Sequence, residues 1–208
     1  MMKKLLVFSV CALLSTGLFA LITGSAHDFS GYGWSGGEIC APCHTPHNAL
    51  VPQLIPLWNH TTAAGPWSQY VDTGTGTLDA AVGQPAGVSR ACLSCHDGTV
   101  ALDSFGGVVG GTLIGAINPA ADFGTDLTND HPISFTYDTA LATADGELFD
   151  PAVALSGLGG TITNDMLFGG NLECASCHDV HNTAAVVGTP LLRITNAGSV
   201  LCLTCHNK

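Results

Sequence analysis

Eight cysteines beyond residue 26 fall into four pairs: Cys40/Cys43, Cys92/Cys95, Cys174/Cys177 and Cys202/Cys205. Two residues separate the members of each pair, and a histidine follows each pair at once: His44, His96, His178 and His206. On a helical turn, side chains three apart lie on one face. Both thiols can then reach one edge of a flat ligand, and the next residue offers an imidazole beneath it. Four Cys-x-x-Cys-His motifs point to c-type haem attachment. The cysteines would add to the two vinyl groups as thioethers, and the histidine would ligate the iron from the proximal side. Paired Cys-x-x-Cys motifs also build zinc ribbons or disulfides, but neither calls for a histidine after every second cysteine.

Four haems with an imidazole on each side need eight histidines, and the chain has nine. Past the first 26 residues the only methionine is Met166, so histidine must supply nearly all the second ligands. Five candidates remain for four distal positions: His27, His47, His60, His131 and His181. An internal repeat helps to choose among them. Segment 40–60, CAPCHTPHNALVPQLIPLWNH, aligns without gaps on segment 174–194, CASCHDVHNTAAVVGTPLLRI. Each is followed by a second motif beginning Cys-Leu and preceded by a lone histidine, His27 or His131. The chain therefore reads as two dihaem units, about 27–97 and 131–208, with a glycine-rich connection. On this count His27, His47, His131 and His181 are the distal ligands. His60 is the spare, since Ile194 stands at its place in the second copy. His47 and His181 each lie three residues after a proximal histidine, too close to cross the same ring. Each is expected to reach a neighbouring haem, in this subunit or another.

The elements that must hold these motifs are short. Glycine pairs at 106–107, 110–111, 159–160 and 169–170 favour turns over helices. No long stretch shows helical periodicity, and the apolar run from Gly107 to Ile117 suggests strands. The expected fold is that of a multihaem cytochrome c: mostly irregular chain, with short helices and few short strands, wrapped around a stacked haem core. Asp126, Asp130 and Asp138 flank His131, but they lack calcium-loop spacing and read as turn and surface residues.

The chain opens with Met1-Met2-Lys3-Lys4 and an apolar run to Ile22, followed by small residues at 24–26. This predicts a signal peptide over 1–26, with an uncleaved anchor as the competing reading. Cys11 falls within that segment. Beyond it, three basic side chains (Arg90, Arg193 and Lys208) face 16 acidic ones. Such a balance argues against nucleic-acid binding. Only 10% of the chain is charged, which suits a surface covered by copies of itself. Membrane involvement is expected only through export or cell-surface association.

The segments EICAPCHTPHNA, PLWNH, CLSCHDGTVALDS, NDHPISF, CASCHDVHN and LCLTCHNK resemble the doubled-CxxCH multihaem cytochromes of metal-reducing and related bacteria. Within that group, four haems in a chain of this size are similar to the tetrahaem cytochromes that polymerise into extracellular filaments. The resemblance implies bis-histidine low-spin haems in a continuous chain. It also implies export to the cell surface, and a histidine of one subunit ligating a haem of the next, with His47 in the matching place. Electron transfer to redox proteins or extracellular acceptors follows, with four haem c as the cofactors and a homopolymer as the working form. A monomeric periplasmic shuttle is the first alternative. A multihaem reductase is the second, and it would need an open iron position. The expectation is of a protein that is not an enzyme.

Overall fold

A computed structural model describes residues 22–51, 54–71, 78–181 and 191–208. Most of the expected export segment, Cys11, and residues 182–190 of the second repeat lie outside the described residues. Among the described residues, no helix is long and apolar enough to cross a membrane.

Secondary structure is sparse, as the glycine content predicts. The helices are α1 (Gly87–His96), α2 (Ile114–Ile117), α3 (Thr139–Asp145), α4 (Ile162–Asp165), α5 (Cys174–Cys177) and α6 (Val200–Cys205). Among the described residues, four two-residue strands pair in two ribbons. β1 (Ser68–Gln69) runs parallel to β2 (Asp126–Leu127). β3 (Phe135–Thr136) runs antiparallel to β4 (Asn171–Leu172). Two small apolar clusters lie within. One joins Phe135, Tyr137, Ala142, Ile162, Met166 and Leu172, and the other joins Ala63, Trp67, Leu93 and Leu127. Met166 is only 2% exposed and is consumed by packing in the first of these.

The expected strands between Gly107 and Ile117 do not form. Neighbouring side chains take the backbone donors that a ladder would need. The Asp103 carboxylate accepts from the Gly111 and Thr112 amides, and the Ser104 hydroxyl accepts from Gly110. The end of the run closes into the single turn of α2. The acidic residues near His131 serve turns. Asp126 accepts from the amide and hydroxyl of Thr128, and Asp138 caps α3 through the Leu141 amide.

The sequence repeat is also a repeat of hydrogen bonds. His44 N–H donates to Cys40 O at 2.8 Å, and His178 N–H to Cys174 O at 3.1 Å. Thr45 N–H reaches Leu57 O at 2.9 Å, as Asp179 N–H reaches Leu191 O at 2.8 Å. Asn59 N–H meets Cys43 O at 2.8 Å, and Arg193 N–H meets Cys177 O at 2.9 Å. Even the side chains correspond: Asn59 Nδ2 donates to Ala41 O at 3.0 Å and Arg193 Nε to Ala175 O at 2.6 Å. Leu57 and Leu191 hold matching positive φ values of 62° and 56°, a left-handed turn that swings each return segment back over its motif.

One buried carboxylate ties the two halves together. Glu173 is 3% exposed and forms a capping box with Ser176 at the start of α5. The same carboxylate accepts from the Ser89 amide in the first turn of α1 at 3.3 Å and from the Ser134 hydroxyl at 2.8 Å. Ser89 Oγ answers by accepting from the Cys174 amide at 2.9 Å. An acidic group at a helix start meets unsatisfied amides, and here it meets those of two helices. Both helices carry Cys-x-x-Cys pairs, so the clamp sets the second and third motifs side by side.

Candidate functional site

Each motif is one helical turn. Cys92 and Cys95 lie in α1, Cys174 and Cys177 in α5, and Cys202 and Cys205 in α6. Cys40–Cys43 forms an isolated turn, with Cys43 N–H on Cys40 O at 3.1 Å. In the first, third and fourth motifs the histidine amide donates to the carbonyl of the leading cysteine. This geometry follows from the three-residue spacing alone and presents both thiols on one side.

The eight described cysteines form no disulfide. Burial pushes the thiols of Cys43 and Cys205 up to about 11 and raises those of Cys95 and Cys177. Cys92 and Cys174 touch across the α1–α5 contact. Hydrogen bonding to Cys174, together with burial, holds the Cys92 thiol well above its ordinary range. A structural zinc takes four converging thiolate or imidazole ligands. Among the described residues, no group of three or more His, Cys, Asp or Glu converges to hold such an ion.

Among the described residues, six histidines gather in three pairs. The ring centroids of His27 and His96 are 6.0 Å apart, those of His44 and His181 6.2 Å, and those of His131 and His206 6.3 Å. Every pair joins a motif histidine to a non-motif one. Two imidazoles on opposite sides of one metal, each bonded at about 2 Å as histidine ligands are, have centroids about 6 Å apart. The spacing of all three pairs fits a haem iron between the rings.

Hydrogen bonds prepare the rings for that role. Nδ1 of His44 donates to Pro56 O at 3.0 Å, Nδ1 of His96 to Ala121 O at 2.8 Å, and Nδ1 of His131 to Pro132 O at 2.8 Å. A proton held on Nδ1 leaves Nε2 as the lone-pair donor, the usual second-sphere arrangement of a metal-bound imidazole. Burial also keeps the rings neutral. It lowers His44, His96 and His206. His27 falls to about 4, through burial first and then the nearby His96, His178 and His181.

His60 is arranged otherwise. It is 1% exposed, with Nδ1 2.7 Å from Thr61 O and Nε2 3.0 Å from Ala101 O. Both ring nitrogens face protein atoms, with the Cys95 thiol also 3.7 Å from Nε2, and a neutral ring donates to one carbonyl at a time. His47 is exposed, and no other imidazole lies against it among the described residues. His178 lies close enough to His27 and His96 to affect the charge of both.

Residues without a motif complete the site. Glu173 and Ser89 set the α1–α5 spacing. The acidic residue before Cys174, with a serine three places on, is a capping signature legible in the sequence; its reach to a second helix is not. Four buried side-chain nitrogens lack a hydrogen-bond partner among the described residues: His27 Nδ1, Trp34 Nε1, Trp58 Nε1 and Gln69 Nε2. An unmet buried donor costs about 1–3 kcal/mol. Of these groups, His27 adjoins the motif histidine His96 and Trp58 adjoins His44, where a polar edge of a bound group would supply the missing partner.

The family described as the doubled CXXCH motif matches residues 168–208, a span that holds Cys174 to His178, His181 and Cys202 to His206. No curated protein matches the chain. The match supports a multihaem cytochrome-like protein of c type, and the CxxCH motifs indicate covalently bound haem c.

Proposed function

We propose that the chain carries four haem c groups, each between two imidazoles, and transfers electrons as a subunit of an extracellular conductive filament. The observation that carries this reading is the set of three imidazole pairs, each uniting a CxxCH histidine with a distal one at about the span of two trans ligands. In this assignment Cys40, Cys43, His44 and His181 hold the first haem. Cys92, Cys95, His96 and His27 hold the second, and Cys202, Cys205, His206 and His131 hold the fourth. Cys174, Cys177 and His178 hold the third. When bound, haem supplies an iron that cycles between ferric and ferrous states, at a potential set by its axial ligands and surroundings.

The chain's own part is to attach, orient and crowd these groups. The Glu173–Ser89 clamp holds the second and third motifs together. The short link from His178 to His181 ties the third motif to the first, because His181 faces His44. Two imidazoles per iron leave no position for a substrate, which favours a carrier over a reductase.

The filament reading rests on the repeat. His44 corresponds to His178, and His181 corresponds to His47. The counterpart of the His44–His181 pair is therefore His178 with His47, and His47 stands at the surface. Donated to the third haem of a second copy, it makes a head-to-tail contact, which propagates when rotation does not close a ring. The low charged fraction agrees.

Haem content, with mass analysis of each CxxCH peptide, tests the number of groups. Low-spin spectra of single alanine variants test the ligands. Changing His27, His131 or His181 is expected to convert one haem to high spin, and changing His60 none. The opposite result at His27 and His60 would overturn the assignment. Electron microscopy of cell-surface material tests the filament. Exclusively monodisperse periplasmic protein would establish the monomeric shuttle instead.

A further inference from the structure

Trp58 is a large side chain, 6% exposed, whose indole Nε1 has no hydrogen-bond partner among the described residues. It sits on the return segment that folds over the first motif. An antiparallel bridge pairs its backbone with His44, and the two rings stand edge-on, 5.9 Å apart at 83°. Its other flank is closed by His60 at 6.2 Å. Both ring nitrogens of His60 lie against backbone carbonyls, and no hydrogen bond joins that ring to the indole. A buried indole N–H normally finds a partner. A group bound at the first motif would supply the acceptor, and haem carries two carboxylate side chains at its edge.

We propose that Trp58 Nε1–H donates a hydrogen bond to a haem propionate at the first motif and thereby raises the potential of that haem relative to the third. This rests on haem attachment at Cys40 and Cys43. The repeat supplies the contrast. Leu192 occupies the corresponding place in the second copy, with the same bridge to its motif histidine, His178, and no N–H to give. A donor to the carboxylate draws negative charge away from the ring and disfavours the ferric state. A leucine in the same scaffold does not.

The test replaces Trp58 with benzothienylalanine, which keeps the shape of the indole and exchanges N–H for sulfur, and with phenylalanine as a second variant. Mass analysis of the Cys40–Cys43 peptide first confirms that haem is attached in each, which separates failure of the haem reading from failure of this one. Haem-resolved redox titration and resonance Raman spectra of the whole protein are then recorded. The expected result is a downward shift in the potential of one haem, with a change in the propionate bending mode, for the isostere as well as for Trp58→Phe. Unchanged potentials and propionate modes in the isostere overturn the proposal. So does a shift seen with phenylalanine alone, which would mark Trp58 as packing only. If Trp58→Phe fails to fold, the isostere decides.

Discussion

Where both are described, repeats 40–60 and 174–194 share backbone hydrogen bonds but not a set of obligations. Both turn a CxxCH motif, swing back through a left-handed leucine and close on the motif through matching hydrogen bonds. Their side chains then diverge. The first repeat carries Trp58 and His60 where the second carries Leu192 and Ile194, and the second carries Glu173 where the first carries Ile39. The second also gives its later histidine, His181, to face His44, whereas His47 of the first faces outward. The two copies share the attachment scaffold, while the side chains around it differ. The second repeat anchors the interior and the first reaches beyond it.

The largest effect is expected where the second repeat has its anchor. Glu173→Ala leaves the donors of α1, α5 and Ser134 without their acceptor and should cost about 3 kcal/mol or more, as removal of a buried charge-bonded partner does. Ile39→Ala, at the matching position, should cost much less. Thermal melts of the haem-loaded protein compare the two, and equal losses would break the contrast. Next come the two corresponding histidines. His181→Ala should turn one haem high-spin in the isolated subunit, while His47→Ala should leave that subunit low-spin at the first haem and abolish filaments. Microscopy and spectra together check the pair.

A smaller loss is expected at His60. His60→Phe forfeits a hydrogen bond to the Thr61 or the Ala101 carbonyl, for about 0.5–1.5 kcal/mol, with low-spin spectra unchanged. A new high-spin signal would make His60 a ligand. Least of all should follow from Arg193→Asn, which installs the residue of the first repeat. Asparagine can keep the bond to Ala175 O, and the loss is confined to the guanidinium 5.7 Å above Phe168, about 0.5–1 kcal/mol. Chemical denaturation resolves a change of that size.

Local features were legible in the sequence and distant ones were not. The CxxCH turns, the repeat and the scarcity of regular structure depend on spacing and on glycine, which a sequence displays directly. The turn roles of Asp126 and Asp138 follow from short side chains bonding nearby amides. The run 107–117 misled because its apolar residues favour a strand, while Asp103 and Ser104, several residues back, claim its amides. The facing of His181 and His44 depends on contacts between distant parts of the chain, and no periodicity encodes them. A glutamate before a cysteine pair announces a helix start; that it also caps α1 emerges only in three dimensions.

The His44–His181 contact has a further consequence when viewed as polymer physics. The apolar clusters are small, and 26 glycines make the unfolded chain rich in conformations. Under the proposed ligation, two imidazoles joined through one metal act as a cross-link between residues far apart in the chain. In the chain-entropy treatment a cross-link closing a loop of about 100 residues is worth about 4–5 kcal/mol. A ligation that outlasts unfolding would then stabilise the fold through what the unfolded chain is denied, and a glycine-rich sequence gains from that more than a stiff one would.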